Sequence, residues 1–248
     1  MFIAERQMKI IEMIQKDGSV QVEKLAKDLG VSSMTIRRDL KRLKNEGIIE
    51  RCHGGAVVKQ EIAYAEKQIS HKGSKELIAS KCAEFVKENN VVFLDAGTTT
   101  YEIARLISTI PGILVVTNDL KIAQLINESE AELIICGGSV QKSTGSMYGY
   151  YATQMMDGFQ FDIGFFGAAS IDDNFQVLTP TIDKVFLKRM IMKNCKQTFI
   201  AVDDSKFNKK AMSKVADLAD YTGVITDHQF TESELARLAK AGVKIIAV

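Results

Sequence analysis

Residues 31–43 read Val-Ser-Ser-Met-Thr-Ile-Arg-Arg-Asp-Leu-Lys-Arg-Leu. Ile36, Leu40 and Leu43 recur at i, i+4, i+7, which makes one apolar stripe that must pack against something. The opposite side carries two basic rows, Arg37, Lys41 and Lys44 in one and Arg38 and Arg42 in the other, with Asp39 the only acid among them. Ser32 is placed to accept from free amide N–H groups of the first turn, and Gly47 to close the far end in a left-handed conformation. A basic helix alone is more often a solvated surface than a nucleic-acid reader. Its neighbours decide between the two.

Upstream, residues 5–16 place Met8, Ile10, Ile11 and Ile14 at helical spacing, and Asp17-Gly18 ends the run. Residues 22–29 form a second, shorter helix with Leu25, Ala26 and Leu29 on one side, and Gly30 breaks the chain before the basic stretch. Two short helices joined by a tight glycine-containing turn, the second bearing the basic face, is the helix-turn-helix arrangement, whose second helix enters the major groove. Downstream, residues 48–51 have strand character, and Cys52-His53-Gly54-Gly55-Ala56-Val57 reads as a turn and a returning strand. That makes a β-wing, on which Arg51 and His53 can meet phosphates.

The chain has 248 residues, 46% of them hydrophobic, enough for a substantial core in one or two domains. Net charge is only +1, but it is unevenly spread: residues 1–58 hold 11 Lys+Arg against 8 Asp+Glu, the remainder 21 against 23. A weakly basic head on a slightly acidic body suits a protein that holds DNA by one end, and such a modest charge implies that tight binding needs two heads. The four cysteines, Cys52, Cys82, Cys136 and Cys195, show no CxxC spacing, and three scattered histidines argue against a metal site; neither metal nor cofactor is expected. With no signal segment and no apolar run of the ~18 to 20 residues a bilayer requires, reduced thiols in a cytoplasm and no membrane role are expected.

Residues 59–74 lose the apolar period and read as a connection, with a short helix suggested by Ile62, Ala65 and Ile69. Beyond them the pattern alternates. Compact apolar runs of buried-strand type occur at 91–94, 113–116, 133–136, 163–166, 198–202, 224–226 and 243–247, and helical stretches at 75–87, 101–107, 120–127, 149–156, 183–194 and 232–241. This predicts a mostly parallel α/β sheet covered on both faces. Ligands of such sheets sit outside the carboxyl ends of the strands. There the chain has Asp95-Ala96-Gly97-Thr98-Thr99-Thr100 leading into a helix, whose free N–H groups, glycine and hydroxyls make a phosphate cradle. Thr117-Asn118-Asp119 and Gly137-Gly138-Ser139 end the next two strands, and Asp203-Asp204-Ser205-Lys206 brings a cation towards the same rim.

The run from Arg6 through Gly55, above all Leu25-Ala26, Val31-Ser32, Met34-Thr35-Ile36-Arg37-Arg38-Asp39-Leu40 and His53-Gly54-Gly55, resembles the N-terminal domain of DeoR-type bacterial transcriptional regulators. The resemblance extends over nearly the whole chain. It implies a winged helix-turn-helix on residues 1–58, a linker on 59–74 and, on 75–248, a Rossmann-like sensor domain similar in fold to ribose-5-phosphate isomerase. Its implied partners are double-stranded operator DNA and a phosphorylated sugar. In the head, Arg37, Arg38, Lys41 and Arg42 would hold phosphates, Ser33, Met34 and Thr35 lie closest to base edges, and Ser32 starts the contact helix. In the sensor, Gly97, Thr98, Thr99, Thr117, Asn118, Gly137, Gly138 and Lys206 would surround the phosphate end of the effector. Asp95 and Asp172 are candidates for sugar hydroxyls. The segment from Asp183 to Arg189 also matches a family stretch near the ligand mouth, with Lys188 and Arg189 either functional or surface charges. Ser170 stands where the family usually has glycine.

The isomerase-like fold raises a rival, a sugar-phosphate enzyme with an appended DNA-binding head. Proton transfer between carbons needs a carboxylate near the reacting carbon, and here the strand end reads Phe166-Gly167-Ala168-Ala169-Ser170-Ile171-Asp172, with its only acid late. No catalytic residue is therefore expected. The expected protein is a repressor of sugar-metabolism genes, a homodimer or homotetramer placing its recognition helices about one DNA turn apart or a multiple of it. Residues 143–148 and 174–181 are expected as the loops that choose the sugar.

Overall fold

The computed structural model describes residues 3–17, 19–45, 49–52, 55–58 and 64–248. The head comprises α1 (Ile3–Asp17), β1 (Ser19–Gln21), α2 (Val22–Leu29), α3 (Ser33–Asn45), β2 (Ile49–Cys52) and β3 (Gly55–Val58). The helix α2 has the expected bounds and ends at Gly30, φ 65°, whose N–H returns to the carbonyls of Ala26 and Lys27. At the start of α3 the Ser32 hydroxyl accepts from the Thr35 amide at 3.1 Å. Ile36, Leu40 and Leu43 pack against Ile10, Ile14, Leu25 and Ile49 in a closed core, each side chain stabilising the head by about 1.5 to 3 kcal/mol. Met8 does not join them and stays 63% exposed on the outer side of α1. The strands β2 and β3 pair antiparallel from Ile49↔Val58 to Cys52↔Gly55 as the expected wing. A third strand, β1, adds to β3; at three residues it is too short to show a period. Gly47 and His53 lie outside the described residues.

Between head and body come α4 (Tyr64–Ile69) and α5 (Lys72–Ala83). The stripe expected on α4 is not what holds it. Ile69 is 81% exposed and Tyr64 is the buried residue, and Ile62 lies outside the described residues.

The body continues β4 (Val91–Leu94), α6 (Thr98–Ile107), β5 (Leu114–Thr117), α7 (Leu120–Asn127), β6 (Glu132–Ile135), β7 (Ser139–Gln141), β8 (Ser146–Tyr148), α8 (Tyr150–Asp157), β9 (Phe161–Phe166), β10 (Ser170–Ile171) and β11 (Gln176–Thr179). It ends with α9 (Asp183–Lys193), β12 (Cys195–Ala201), β13 (Ser213–Asp217), β14 (Gly223–Thr226), α10 (Glu232–Lys240) and β15 (Ile245–Ala247). The seven expected apolar runs form one seven-stranded sheet in the order β15-β14-β12-β9-β4-β5-β6, and its pairings are parallel. Both faces are covered, which is why the strands read as unbroken apolar runs. Phe93 points into the core formed with α8, α9 and α10, while Val92 and Leu94 point into the core formed with α5, α6 and α7.

Two additions were not legible in the sequence. Residues 143–148 are not a free loop: β7 and β8 pair as a hairpin. Residues 174–181 likewise contain β11, the middle strand of a small antiparallel sheet β10-β11-β13. Ser170, where the family motif favours glycine, is a strand residue opposite Leu178, a position that asks nothing special of its backbone.

Candidate nucleic-acid interface and effector cleft

On α3, Met34 is 67% exposed, and Arg37, Arg38, Lys41 and Arg42 are exposed along the same surface. The burial of Ile36, Leu40 and Leu43 beneath turns all four cations outwards. Arg38, Lys41 and Arg42 border a shallow hollow with Ile3, Arg6 and Thr35, wide open to a partner. Arg37 reaches across to Glu23 on α2, Nη2 to Oε1 3.6 Å, both side chains exposed; such a pair is worth little and yields readily to a phosphate. The Ser32 hydroxyl serves the helix cap and meets Thr35 Oγ1 at 2.9 Å, so its first duty is to the fold. Arg51 lies on β2 with its side chain outside the description, as is the whole of His53.

Asp39 departs from the expected charge pattern. It points inwards, 4% exposed, and takes the Arg6 guanidinium from α1 in a two-pronged pair, Nε to Oδ2 2.5 Å and Nη2 to Oδ1 3.2 Å. That pair sets the angle at which α1 backs the recognition helix.

In the body the chain reverses its direction of travel across the sheet between β4 and β9, the place where open α/β sheets leave a crevice. A cleft opens there. One side is the start of α6: Gly97 is its N-cap, and Thr98 and Thr99 are buried at its rim. Across from them stand Gly167, Ala168 and Ala169 after β9, and Val177, Leu178, Thr179 and Val215 from the small antiparallel sheet. Four lysines line the cleft, Lys67, Lys184, Lys188 and Lys206, against one carboxylate, Asp95. Asp95 accepts from Lys188 and from the Gly167 amide at 3.2 Å, while Lys188 also donates to the Gly167 carbonyl at 2.9 Å. The Lys188 ammonium therefore ties the ends of β4 and β9 together. A cleft with this charge balance and a helix start in its wall is built for an anion.

Of the expected effector residues, Asp95, Gly97, Thr98, Thr99 and Lys206 meet in this cleft. Thr117, Asn118, Gly137, Gly138 and Asp172 do not border it. The Thr117 hydroxyl donates to the Leu94 carbonyl at 2.7 Å. Asn118 donates to the Met147 carbonyl at 3.2 Å. Gly138 sits at φ 130°, where a Cβ would lie 2.6 Å from the Tyr148 carbonyl. Thr117 thus ties β5 to β4, while Asn118 and Gly138 meet the hairpin β7–β8 at the ends of β5 and β6. Asp172 caps its own loop, accepting from the Asn174 and Gln176 amides. Lys67 lines the cleft without having been expected, and so does Lys184, which falls in the 183–189 stretch but was not singled out there. Lys184 sits one helical turn before Lys188 on α9, so the i, i+4 spacing was the available signal.

Asp119 stands behind the cradle. Its carboxylate caps α7 through the Lys121 and Ile122 amides and takes the Gly97 amide at 3.1 Å. Burial drives its pKa up to about 6 although those three N–H groups favour the charged form. A folded pKa above the unfolded ~3.9 gives stability that is complete below pH ~4 and fades as pH rises through 6, on the order of 3 kcal/mol in all. Asp119→Asn is expected to lack this slope. Thermal midpoints of both proteins between pH 4.5 and 7 check it, and parallel profiles would refute it.

Asp95 is held by Lys188 and Asp172 by its loop, so neither acid is placed to shuttle a proton. Among the described residues no group of three or more His, Cys, Asp or Glu side chains could hold a metal. No helix among them is long and apolar enough to cross a membrane. Burial pushes the Cys136 thiol up to about 11 and Cys195 up to about 12, which makes both poor redox sensors at neutral pH.

Residues 6–61 match the model of the DeoR-like helix-turn-helix domain, and residues 70–228 that of the DeoR C terminal sensor domain. The HTH-type transcriptional regulator GlpR of Haloferax volcanii is 34% identical over 250 residues, covering 99% of this chain and 98% of its own length. The glycerol-3-phosphate regulon repressor of Escherichia coli K12 is 30% identical over 90% of each chain. The lactose phosphotransferase system repressor of Streptococcus mutans is 30% identical over 95% of this chain and 96% of its own. Among solved structures, a ribose-5-phosphate isomerase bound to phospho-erythronic acid aligns with a TM-score of 0.42 at 16% identity, over 55% of this chain and 54% of its own. No functional reading rests on that last likeness. With both domain models matched and regulators as its relatives over nearly their whole length, the chain belongs to the DeoR family of transcriptional regulators.

Proposed function

We propose that this protein is a repressor of sugar-metabolism genes whose grip on operator DNA is set by a phosphorylated sugar in the β4–β9 cleft. The observation that carries the reading is the cleft itself, where the start of α6 faces four lysines and Asp95, the one lining carboxylate among the described residues, is already paired. The phosphate sits on the N–H groups and hydroxyls of Thr98 and Thr99, beside Gly97, whose own amide is held by Asp119, with Lys206 and Lys184 as counter-ions. Residues 1–58 act as the reading head, 59–74 as the connection and 75–248 as the sensor. Two copies place their α3 helices in successive major grooves, with Ser33, Met34 and Thr35 towards base edges and Arg37, Arg38, Lys41, Arg42, Arg51 and His53 on phosphates. The relatives named as repressors support the sign, and ligand relieves repression. Such a protein works in the cytoplasm, where both DNA and sugar phosphates are found.

Thermal unfolding against a panel of sugar phosphates, glycerol 3-phosphate included, each beside its unphosphorylated partner, tests the cleft. A ligand at ~100 times its dissociation constant stabilises the protein by roughly 2.7 kcal/mol, which moves the midpoint by degrees. Lys206→Ala is expected to remove that shift while operator affinity stays as it was. A variant that still responds places the phosphate elsewhere. For the head, Arg38→Ala is expected to weaken binding to all DNA sequences alike and to lower the slope of log affinity against log salt by about 1. Titrations at several salt concentrations measure this, and an unchanged slope removes Arg38 from the phosphate contacts.

A further inference from the structure

We propose that α4, in the connection between the two domains, is part of the effector site and transmits its occupancy: Lys67 brings it to the anion, while Lys75 and Tyr64 fasten it to the sensor body. The inference rests on the cleft being an anion site. A six-residue helix with Ile69 81% exposed has no apolar stripe to hold it in place. Two specific fastenings do so instead.

The first is Lys75 on α5. It is 2% exposed, and its ammonium donates to the Lys67 carbonyl in the last turn of α4 and, at 2.5 Å, to the Ser70 carbonyl just beyond it, two groups at a helix end where carbonyls lack intrahelical partners. Burial lowers the Lys75 pKa; Asp203 and Glu102 pull it back, and Lys206 and Lys67 push it further down. Lys75 thus stands within electrostatic reach of two cations that line the cleft. The second fastening is Tyr64, 5% exposed, whose amide donates to the Ser143 carbonyl of the hairpin loop at 3.0 Å and whose ring lies 4.9 Å beneath the Lys121 ammonium. Burial raises the Tyr64 pKa, and Asp119, which holds the Gly97 amide of the cradle, is close enough to raise it further.

The sign follows from charge. Without an anion between them, Lys206 and Lys67 each repel the Lys75 ammonium. A phosphate dianion between Lys67 and Lys206 removes that repulsion and adds an attraction, so the ligand binds better when α4 is docked and occupancy favours the docked position. Residues 59–63 then join α4 to the wing strand β3, which gives the docked position a covalent route to the DNA-binding head.

Hydrogen exchange of the full chain with and without inorganic phosphate, at a concentration that saturates its effect on the thermal midpoint, tests this. In the unmodified protein, phosphate is expected to slow exchange of the amides of residues 65–71 by between about 5- and 150-fold, the usual range of coupling between sites. In Lys75→Met the midpoint shift should persist while that slowing is lost. Lys67→Met, at a half-exposed position the fold tolerates, should diminish both. If phosphate raises the midpoint but exchange in 65–71 is unchanged, the coupling role of α4 is overturned and the cleft reading stands. If phosphate has no effect on the midpoint, both are overturned together. Slowing of equal size in Lys75→Met would show that the lysine fastening is not the transmitter.

Discussion

Asp39→Ala is expected to unfold the reading head and to abolish operator binding, although Asp39 faces no DNA. The substitution leaves the Arg6 guanidinium, 8% exposed, without its bidentate carboxylate. Removing one partner of a buried ion pair destabilises by about 3 to 5 kcal/mol. A core the size of this head rarely supplies more than that, so the loss is comparable with everything the head has. Replacing both partners together, Arg6→Met with Asp39→Leu, removes the desolvated charge and should restore much of the helix-turn-helix. Circular dichroism melts and operator titrations on the single and double variants measure this. A single-variant loss below about 1 kcal/mol, the value of an exposed pair, would show that the pair does not hold α1 on α3.

Lys188→Met is expected to damage the sensor in two ways. It removes a cation from the cleft, and it leaves Asp95, 1% exposed, as a carboxylate whose remaining partner is the Gly167 amide. Burial of an unpaired charge again implies a loss of about 3 to 5 kcal/mol, here at the junction of β4 and β9 where the cleft is formed. Adding Asp95→Asn should recover most of the stability, because a neutral amide can still accept from Gly167, but not the effector response. Denaturant unfolding separates these effects from binding. Recovery of the ligand-induced midpoint shift in the double variant would mean that Lys188 acts only through Asp95, as a positioning residue.

Much of this architecture is legible from local pattern. The stripe of Ile36, Leu40 and Leu43, the Ser32 cap and the Gly30 break define the recognition helix because a helix must bury one face and satisfy its own ends. The seven apolar runs reveal the parallel sheet because a strand covered on both faces has no polar side to show. The helix start at Gly97 is recognisable for the same local reason, and so is the cation at Lys206.

What local pattern could not supply is the order of strands across the sheet. Thr117 and Gly137 end strands in the same manner as Asp95, and nothing near them in the chain says that β5 and β6 lie on the far side of β4 from β9, beneath a hairpin. Only strand order decides which carboxyl ends share a crevice, and so which polar residues meet a ligand and which hold a loop. Asp39 shows the same division: from spacing alone it is a solvated charge, and it is a partner 33 residues away that makes its burial possible. A charge is buried when the tertiary fold brings it a partner, and the partner is rarely its neighbour in the chain.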